Sequence, residues 1–243
     1  MKVVSLVPSI TEALLDLGLT DKEVVGRTKF CIHPAEKVQN IPKIGGTKNL
    51  NIDLIKSLKP DLILANKEEN IKEQVEELQK HFNVLVTDIA SVDDTLNLNR
   101  RLGQLFHKET SAEKFNAEIL KNLRENQVRK KLKVAYLIWK KPYMTVGGDT
   151  YISHILEAIG CINLFEEQNR YPEITVDNLK DADVVFLSSE PYPFKEKDIQ
   201  ELKEHLQEVP VILVDGEVFS WYGTHLAKKG AYLKELVTSL NSI

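Results

Sequence analysis

The stretch "IDLIKSLKPDLILANKEEN" (Ile52–Asn70) has a counterpart later in the same chain, "VDNLKDADVVFLSSEPYPF" (Val176–Phe194). Each reads as a short helix, then an aspartate (Asp61, Asp183), then four apolar strand residues, then a polar loop that carries glutamate. The continuations, "IKEQVEELQKHFNVLVTD" and "KEKDIQELKEHLQEVPVILVD", each supply an amphipathic helix, a second apolar strand and a closing aspartate (Asp88, Asp215). Likewise "SITEALLDLG" and "TYISHILEAIG" both end in a glycine suited to a left-handed helix terminus, Gly18 and Gly160. The matching order implies a duplicated α/β unit.

Outward from these two stretches, short apolar segments alternate with helical ones: Val3 to Val7, Val24 to Gly26, Leu62 to Ala65, Val84 to Thr87, Val134 to Trp139, Val184 to Leu187 and Val211 to Val214. That alternation is the pattern of mostly parallel sheets covered by helices. Between the copies, Ser91 to Lys131 holds no strand and divides near Ser111, where a second helix begins that runs to about Arg129. The fold class is therefore α/β: two similar lobes, residues 1–90 and 132–243, joined by connecting helices over 91–131, with a ligand cleft between the lobes. Ligands of open α/β sheets sit beyond the carboxyl ends of the strands.

Composition excludes several classes. With 243 residues, 42% of them apolar, the chain can bury proper cores. Its net charge of -4, with no basic stripe, argues against a nucleic-acid partner, and no apolar run is long enough to span a bilayer. Two cysteines far apart, Cys31 and Cys161, indicate neither a disulfide framework nor a zinc site. At the start, "MKVVSLVPSITEALLDLGL" reads as a strand and a helix, with Ser9 and Glu12 in capping-box spacing. Pro8, Ser9, Thr11 and Glu12 interrupt any secretory leader, so the expected location is cytoplasmic, or periplasmic if a leader was trimmed.

The loops beyond the strands carry the candidate site. In the first lobe they present Pro8, Ser9, Lys29, Phe30, Thr47, Lys48 and Asn66. In the second they are more aromatic: Trp139, Tyr143, Tyr171, Tyr192, and the segment "GEVFSWYGTH" with Trp221, Tyr222 and His225, alongside Glu190. Flat rings suit a macrocycle or catecholate face, because stacking adds to burial. Lys29, Lys48, Lys67, Lys140 and Lys141 are placed to attract anionic groups. Glu68, Glu69 and Glu190 occupy equivalent loops of the two copies. Cys31 and His33 in "FCIHP" lack the second ligand pair that a closed zinc site needs, so no metal ligand is assigned. Neither "GGTKN" nor "VGGDT" matches a phosphate-binding or dinucleotide fingerprint.

The pieces "VVSLVPSITEALLDLGL", "FCIHPAE", "IGGTKNLNIDLIKSLKPDLILAN", "TVGGDTYISHILEAIGCINLF" and "SWYG", in this order, resemble the helical-backbone (class III) substrate-binding proteins of ABC importers. The cobalamin-binding branch is the most similar. The resemblance covers nearly the whole chain and implies a cleft that holds a corrinoid, haem or ferric siderophore without catalysis and without a cofactor of its own. Where cobalamin binders carry aromatic residues in the first lobe this chain has Thr47 and Asn66, and the family's terminal arginine is replaced by His225. The resemblance also implies docking of an ABC permease through carboxylates. In the second lobe that position falls on Asp177; in the first it falls on Lys72, with Glu69 and Glu73 adjacent. The expected molecule is a monomeric binding protein that is not inserted in a membrane. An intracellular carrier or enzyme handling such a cofactor is the alternative.

Overall fold

A computed structural model describes residues 1–243. The chain forms two compact units, and neither is contiguous in sequence. Unit 1 comprises Met1–Ile89, Asp93–Ile119 and Trp221–Lys228; unit 2 comprises Ala90–Val92, Leu120–Ser220 and Lys229–Ile243. A division at residues 90 and 131 would place Trp221–Lys228 in the second lobe. The structure corrects this, because the side chains of that segment bond to the first helix of unit 1.

Unit 1 runs β1 (Val3–Ser5), α1 (Pro8–Asp16), β2 (Val24–Arg27), α2 (Ala35–Val38), a small hairpin of β3 (Gly45–Gly46) and β4 (Asn49–Leu50), α3 (Ile52–Leu58), β5 (Leu62–Asn66), α4 (Lys72–Gln79) and β6 (Val84–Thr87). Two helices, α5 (Val92–Phe106) and α6 (Glu109–Glu125), make the connection. Unit 2 runs β7 (Lys133–Leu137), β8 (Tyr143–Met144), α7 (Tyr151–Ala158), β9 (Ile162–Asn163), β10 (Glu173–Ile174), a 3-10 turn at Val176–Leu179, β11 (Val184–Ser188), α8 (Glu196–Leu206), β12 (Val211–Val214), α9 (Gly216–Ser220) and, after the 3-10 turn His225–Lys228 of unit 1, α10 (Gly230–Leu240).

Each unit is built on a four-stranded parallel sheet, in the order β2-β1-β5-β6 and β9-β7-β11-β12. In both, the first strand to form in sequence lies inside, the second pairs with its outer side, and the third and fourth extend the sheet the other way. The equivalence reaches individual atoms. Asp61 accepts the backbone N–H of Lys2 at 2.6 Å and Asp183 accepts that of Lys133 at 2.7 Å. In return, the N–H groups of Asp61 and Asp183 each donate to the carbonyl of the same lysine, both at 2.8 Å. These paired bonds set the register in which Val3 faces Leu62 and Val134 faces Val184. The duplication read from Ile52–Asn70 and Val176–Phe194 is thus present in the topology.

The central strands β1, β5 and β11, and β7 beyond Lys133, are buried on both faces, whereas the edge strands β6 and β12 leave Val86 and Leu213 exposed. Val4, Leu6, Ile44, Ile55, Ile63, Ala65, Val75 and Leu78 form one core, and Ala135, Leu137, Val185, Leu187, Phe194, Ile199 and Leu202 belong to the other. Gly18 and Gly160 end α1 and α7 with φ of +98° and +87°, as expected of left-handed termini. Two local expectations are corrected. Helix α1 begins at Pro8 behind Val7, with no side-chain cap, because proline has no N–H to satisfy and its φ is already helical. Ser9 is therefore inside the first turn, and Glu12 is released from any capping box to bond elsewhere. Helix α6 spans Glu109–Glu125 and not Ser111 to Arg129.

If Asp61 and Asp183 hold equivalent junctions, Asp61→Ala and Asp183→Ala each lower stability by about 0.5–1.5 kcal/mol, the net value of one such hydrogen bond. Urea unfolding midpoints should fall by similar amounts in the two variants. Loss from one variant alone would break the equivalence.

Candidate functional site

In a sheet ordered 2-1-3-4, the crevice opens where the chain path reverses, beyond the carboxyl ends of the first and third strands. In unit 1 these ends lead into Pro8 and Ser9 after β1 and into Asn66–Asn70 after β5. Asn66 is fully occupied within this turn. Its Oδ1 accepts from the N–H groups of Glu68 and Glu69 at 2.9 and 3.2 Å, and its Nδ2 donates to the carbonyl and hydroxyl of Thr87 at 3.2 and 3.1 Å. Asn70 Nδ2 donates to the carbonyls of Leu6 and Thr47, at 3.2 and 3.1 Å, which ties the end of β1 to the hairpin. The buried Asn66 and Thr47 thus shape the edge, while Glu68 and Glu69 are only half buried.

The loop after β2 is similarly pinned from inside. The buried Arg27 donates through Nε to Val38 O at 2.9 Å, and through one terminal nitrogen to Thr28 O and Cys31 O at 3.2 and 3.0 Å. Cys31 turns inward, its Sγ 3.1 Å from Thr11 Oγ1 and 3.2 Å from Thr28 Oγ1; burial pushes its thiol pKa up, against the pull of those hydroxyls. Phe30, on the other hand, is 49% exposed. Its ring lies over Gly46, where a Cβ would approach Phe30 Cε2 to 3.2 Å, and the Lys29 ammonium sits 5.0 Å from its centroid.

Onto this unit comes the segment Trp221–Lys228. Glu12, with 3% of its side chain exposed, accepts from His225 Nδ1 at 2.8 Å and from Lys228 Nζ at 2.6 Å. Asp16 accepts from Lys228 Nζ and from Thr224 Oγ1, both at 2.5 Å. Burial alone would raise the Glu12 pKa, but the hydrogen bonds and charges of His225 and Lys228 outweigh it and hold the carboxyl below its ordinary value. Asn99 of α5 donates to Gly223 O at 3.0 Å. Gly223 itself has φ +87°, and a Cβ there would lie 3.1 Å from Ala13 Cβ, so the close approach needs glycine. The anchored segment places the Trp221 ring 5.4 Å from both His33 and His225, with the two imidazoles 5.9 Å apart. Tyr222 is buried against Ser9 and Thr87, and burial raises its phenol pKa well above the ordinary value.

In unit 2 the corresponding ends are those of β7 and β11. After β7, Trp139 is 42% exposed and meets the half-buried Tyr192 edge-on at 5.7 Å; Tyr192 in turn meets Phe194 at 4.7 Å. Lys140 does not face a ligand, contrary to the expectation from its loop position. Its side chain is 6% exposed and its ammonium is held by Asp198 at 2.6 Å and Glu201 at 2.7 Å. A chain ending in charge must fold back to helix α8 here, because the alternative is an unpaired buried ammonium. Tyr143 and Tyr171 are half buried, Tyr171 beneath the Arg170 guanidinium at 5.4 Å.

After β11, Tyr136 donates its hydroxyl to Ser188 Oγ at 3.1 Å, and Ser188 Oγ donates to Glu190 O at 2.5 Å. Ser220 Oγ donates to Glu190 Oε1, also at 2.5 Å. Gly216 makes room for this knot, since a Cβ there would lie 2.4 Å from Ser188 Oγ.

Several other residues resolve plainly. Lys67 pairs with Asp88 at 2.7 Å, Lys48 donates to the Glu68 carbonyl, and Lys29 and Lys141 are exposed. Glu73 is exposed in the first turn of α4, and Asp177 is exposed and paired with Lys180 at 2.7 Å. Sequence reasoning did not bring His33 together with Trp221 and His225, since nothing in local spacing signals a contact between residues so far apart in the chain. It also left Glu12 as a cap.

Two parallel sheets of identical strand order, with a helical connection, define a duplicated α/β architecture of two units. The chain belongs to the periplasmic binding protein family, whose profile matches residues 3–212. Among curated relatives, the vitamin B12-binding protein of Pectobacterium carotovorum subsp. carotovorum (strain PC1) is 25% identical over 248 residues, which covers 99% of this chain and 89% of that protein. Among solved structures, the periplasmic heme-binding protein RhuT from Roseiflexus sp. RS-1 superposes with a TM-score of 0.82 at 18% identity, covering 99% of this chain and 98% of that one. The periplasmic vitamin B12-binding protein BtuF of Vibrio cholerae gives a TM-score of 0.80 at 18% identity, covering 100% and 98%. These structural likenesses show a shared fold.

Glu12 also predicts a pH dependence. Its folded-state pKa is lowered, so its contribution to stability is complete above the ordinary carboxylate pKa and is lost as the pH falls through the folded value. Glu12→Gln should cost about 3 kcal/mol at neutral pH by leaving the pair incomplete. Thermal unfolding across a pH series should show the gap between variant and wild type narrowing toward acid. A constant gap would mean that the ionised carboxylate is not the source.

Proposed function

We propose that this protein is the substrate-binding component of an ABC importer and that its cargo is a planar metal chelate, a corrinoid in the first place, with haem or a ferric siderophore in the same class. The observation that carries this reading is the set of rings left presented at the carboxyl edges: Phe30 in unit 1, and Trp139 with Tyr192 in unit 2. Ligand sites are lined mainly by apolar and aromatic side chains, and a flat macrocycle can stack on such rings. The vitamin B12-binding relative supports a corrinoid, and its match along almost the whole chain supports the same overall role. Pro8, Ser9, Thr47, Asn66 and Tyr222 act on this reading as the frame of the edge, while Lys29, Lys48, Tyr143, Tyr171 and Glu190 supply polar contacts.

Binding without catalysis fits the fate of the reactive groups. Cys31 is turned onto two threonines, Cys161 is buried with its thiol pushed up to about 12, and Glu12 and Lys140 are spent in ion pairs. No helix is long and apolar enough to cross a membrane. The periplasmic relatives favour a place outside the cytoplasmic membrane over the cytoplasmic one, and over the intracellular carrier. The partner is then a permease, met through exposed carboxylates such as Glu73 and Asp177, with Glu69 nearby, and the protein acts as a monomer.

The chain has only two tryptophans, one in each unit, which gives each edge its own reporter. Titration with diaquocobinamide, cyanocobalamin, ferric haem and a ferric catecholate should quench the fluorescence of Trp221→Phe and Trp139→Phe proteins in turn. Micromolar binding of at least one of these chelates is expected. Trp139→Ala should weaken it about tenfold or more, the value of a lost stacking anchor of ~1.5 kcal/mol. No binding by any of the four would overturn the chelate assignment, and unchanged affinity would remove Trp139 from the site.

A further inference from the structure

From Arg124 to Lys133 the chain carries five cations, Arg124, Arg129, Lys130, Lys131 and Lys133, against one carboxylate, Glu125, although its net charge is -4. Elsewhere cations meet partners, as in Lys67 with Asp88 at 2.7 Å, Arg100 with Glu113 at 2.9 Å and Lys180 with Asp177 at 2.7 Å. All five side chains of this run are exposed, and none pairs with a carboxylate. The end of a helix explains only the first of them. Helix α6 closes at Glu125, and the attraction of its negative end fades within the last turn, short of Lys130, Lys131 and Lys133. The run is also held still. Gln127 donates through Nε2 to the carbonyls of Leu123 and Ala158 at 2.7 and 2.6 Å. The N–H groups of Val128, Arg129 and Lys133 donate to Ile159 O, Asn241 Oδ1 and Asp183 Oδ2 at 3.0, 2.7 and 2.7 Å. The backbone is thereby fixed while the charged ends stay in solvent, so little ordering is left to pay when a partner arrives.

Lys133 opens β7, which puts these cations at the amino end of the sheet whose carboxyl end presents Trp139 and Tyr192. Leu120, 49% exposed, stands one turn before Arg124 on the same face of α6. We propose that this loop is a peripheral docking surface for an anionic lipid bilayer. This rests on the importer reading above, since such a protein works beside a membrane, and it assigns a second surface remote from the aromatic edge of unit 2. Anionic headgroups attract clustered lysine and arginine within a Debye length, and an apolar side chain among them enters the headgroup layer. Leu120 therefore favours a bilayer over a nucleic acid, whose phosphates give an apolar side chain no place to bury. Glu125 in the run, and Glu157 and Glu166, which share a surface cavity with Lys131, lessen the attraction and keep it reversible. Docked in this way, unit 2 holds its aromatic edge away from the bilayer.

Co-sedimentation of the full chain with lipid vesicles provides the test. Phosphatidylcholine vesicles containing about one third phosphatidylglycerol should retain about fivefold more protein than pure phosphatidylcholine vesicles at about 50 mM salt, and should release it at about 300 mM. Lys130→Glu with Lys131→Glu should reduce that retention about fivefold or more. Lys22→Glu with Lys43→Glu, at exposed positions of unit 1 and with the same change in net charge, should leave it within about twofold. Leu120→Ser should weaken retention about twofold or more. No preference for the anionic vesicles, or equal loss in the two double variants, would overturn the inference. Retention on beads bearing duplex DNA that matches retention on the vesicles would overturn it too, because the loop would then bind any polyanion. The four chelates are titrated on the same preparations, and their affinities should not change in the Lys130→Glu, Lys131→Glu variant. A wild-type protein that takes a chelate but ignores the vesicles would overturn this inference alone. One that docks on anionic vesicles but takes no chelate would overturn the function reading while supporting the docking surface.

Discussion

The buried carboxylate of Glu12 is the constraint on which the candidate face of unit 1 depends. It lies on the first helix of the chain and binds His225 and Lys228 near the other end. Through it, a segment that interrupts unit 2 in sequence becomes part of unit 1, carrying Trp221 to the side of His33. A buried ion pair of this kind stabilises little relative to apolar packing, but breaking it is costly because one charge is then left uncompensated. Its effect is therefore specificity of placement. Asp16, Thr224, Asn99 and the left-handed Gly223 make any other path of the segment worse.

The two units share a scaffold and differ at its edges. The same strand order and the same aspartate-to-backbone pair recur in each, so the duplication is conserved where it sets the register. Beyond the third strand the solutions diverge. Unit 1 closes its turn around a fully bonded asparagine, Asn66, whereas unit 2 uses a chain of hydroxyls from Tyr136 through Ser188 to the Glu190 carbonyl. Both satisfy buried polar groups without a ligand, which leaves the presented rings as the variable part of each surface. The division of labour is physical: the buried polar side chains of these turns are consumed in shaping the edge, and the exposed rings lie outside that network.

That division also explains why loop position was a poor guide to the role of charged groups. Lys140 and Lys141 are neighbours in one loop, yet Lys140 is buried between Asp198 and Glu201 and Lys141 is exposed. A lysine stem is long enough to carry its charge to a carboxylate on a distant helix, and only the packing of α8 determines whether one is waiting. Phe30 and Trp139, in contrast, are exposed, since a rigid ring on a short stem stays near its backbone.

By itself, the sequence determined the duplicated α/β architecture, the connecting helices, the left-handed ends at Gly18 and Gly160, and the aromatic bias of the loops. These rest on periodicity, on glycine's access to positive φ and on the order of apolar runs, all of which are local and repeat within the chain. Only the tertiary structure decided that Trp221–Lys228 belongs with unit 1, that Glu12 is an ion-pair partner and not a cap, and that His33, Trp221 and His225 share one place. Those outcomes depend on contacts between residues some two hundred positions apart, where a buried carboxylate left without its partners would be costly, and no local pattern records which distant partner a carboxylate will find.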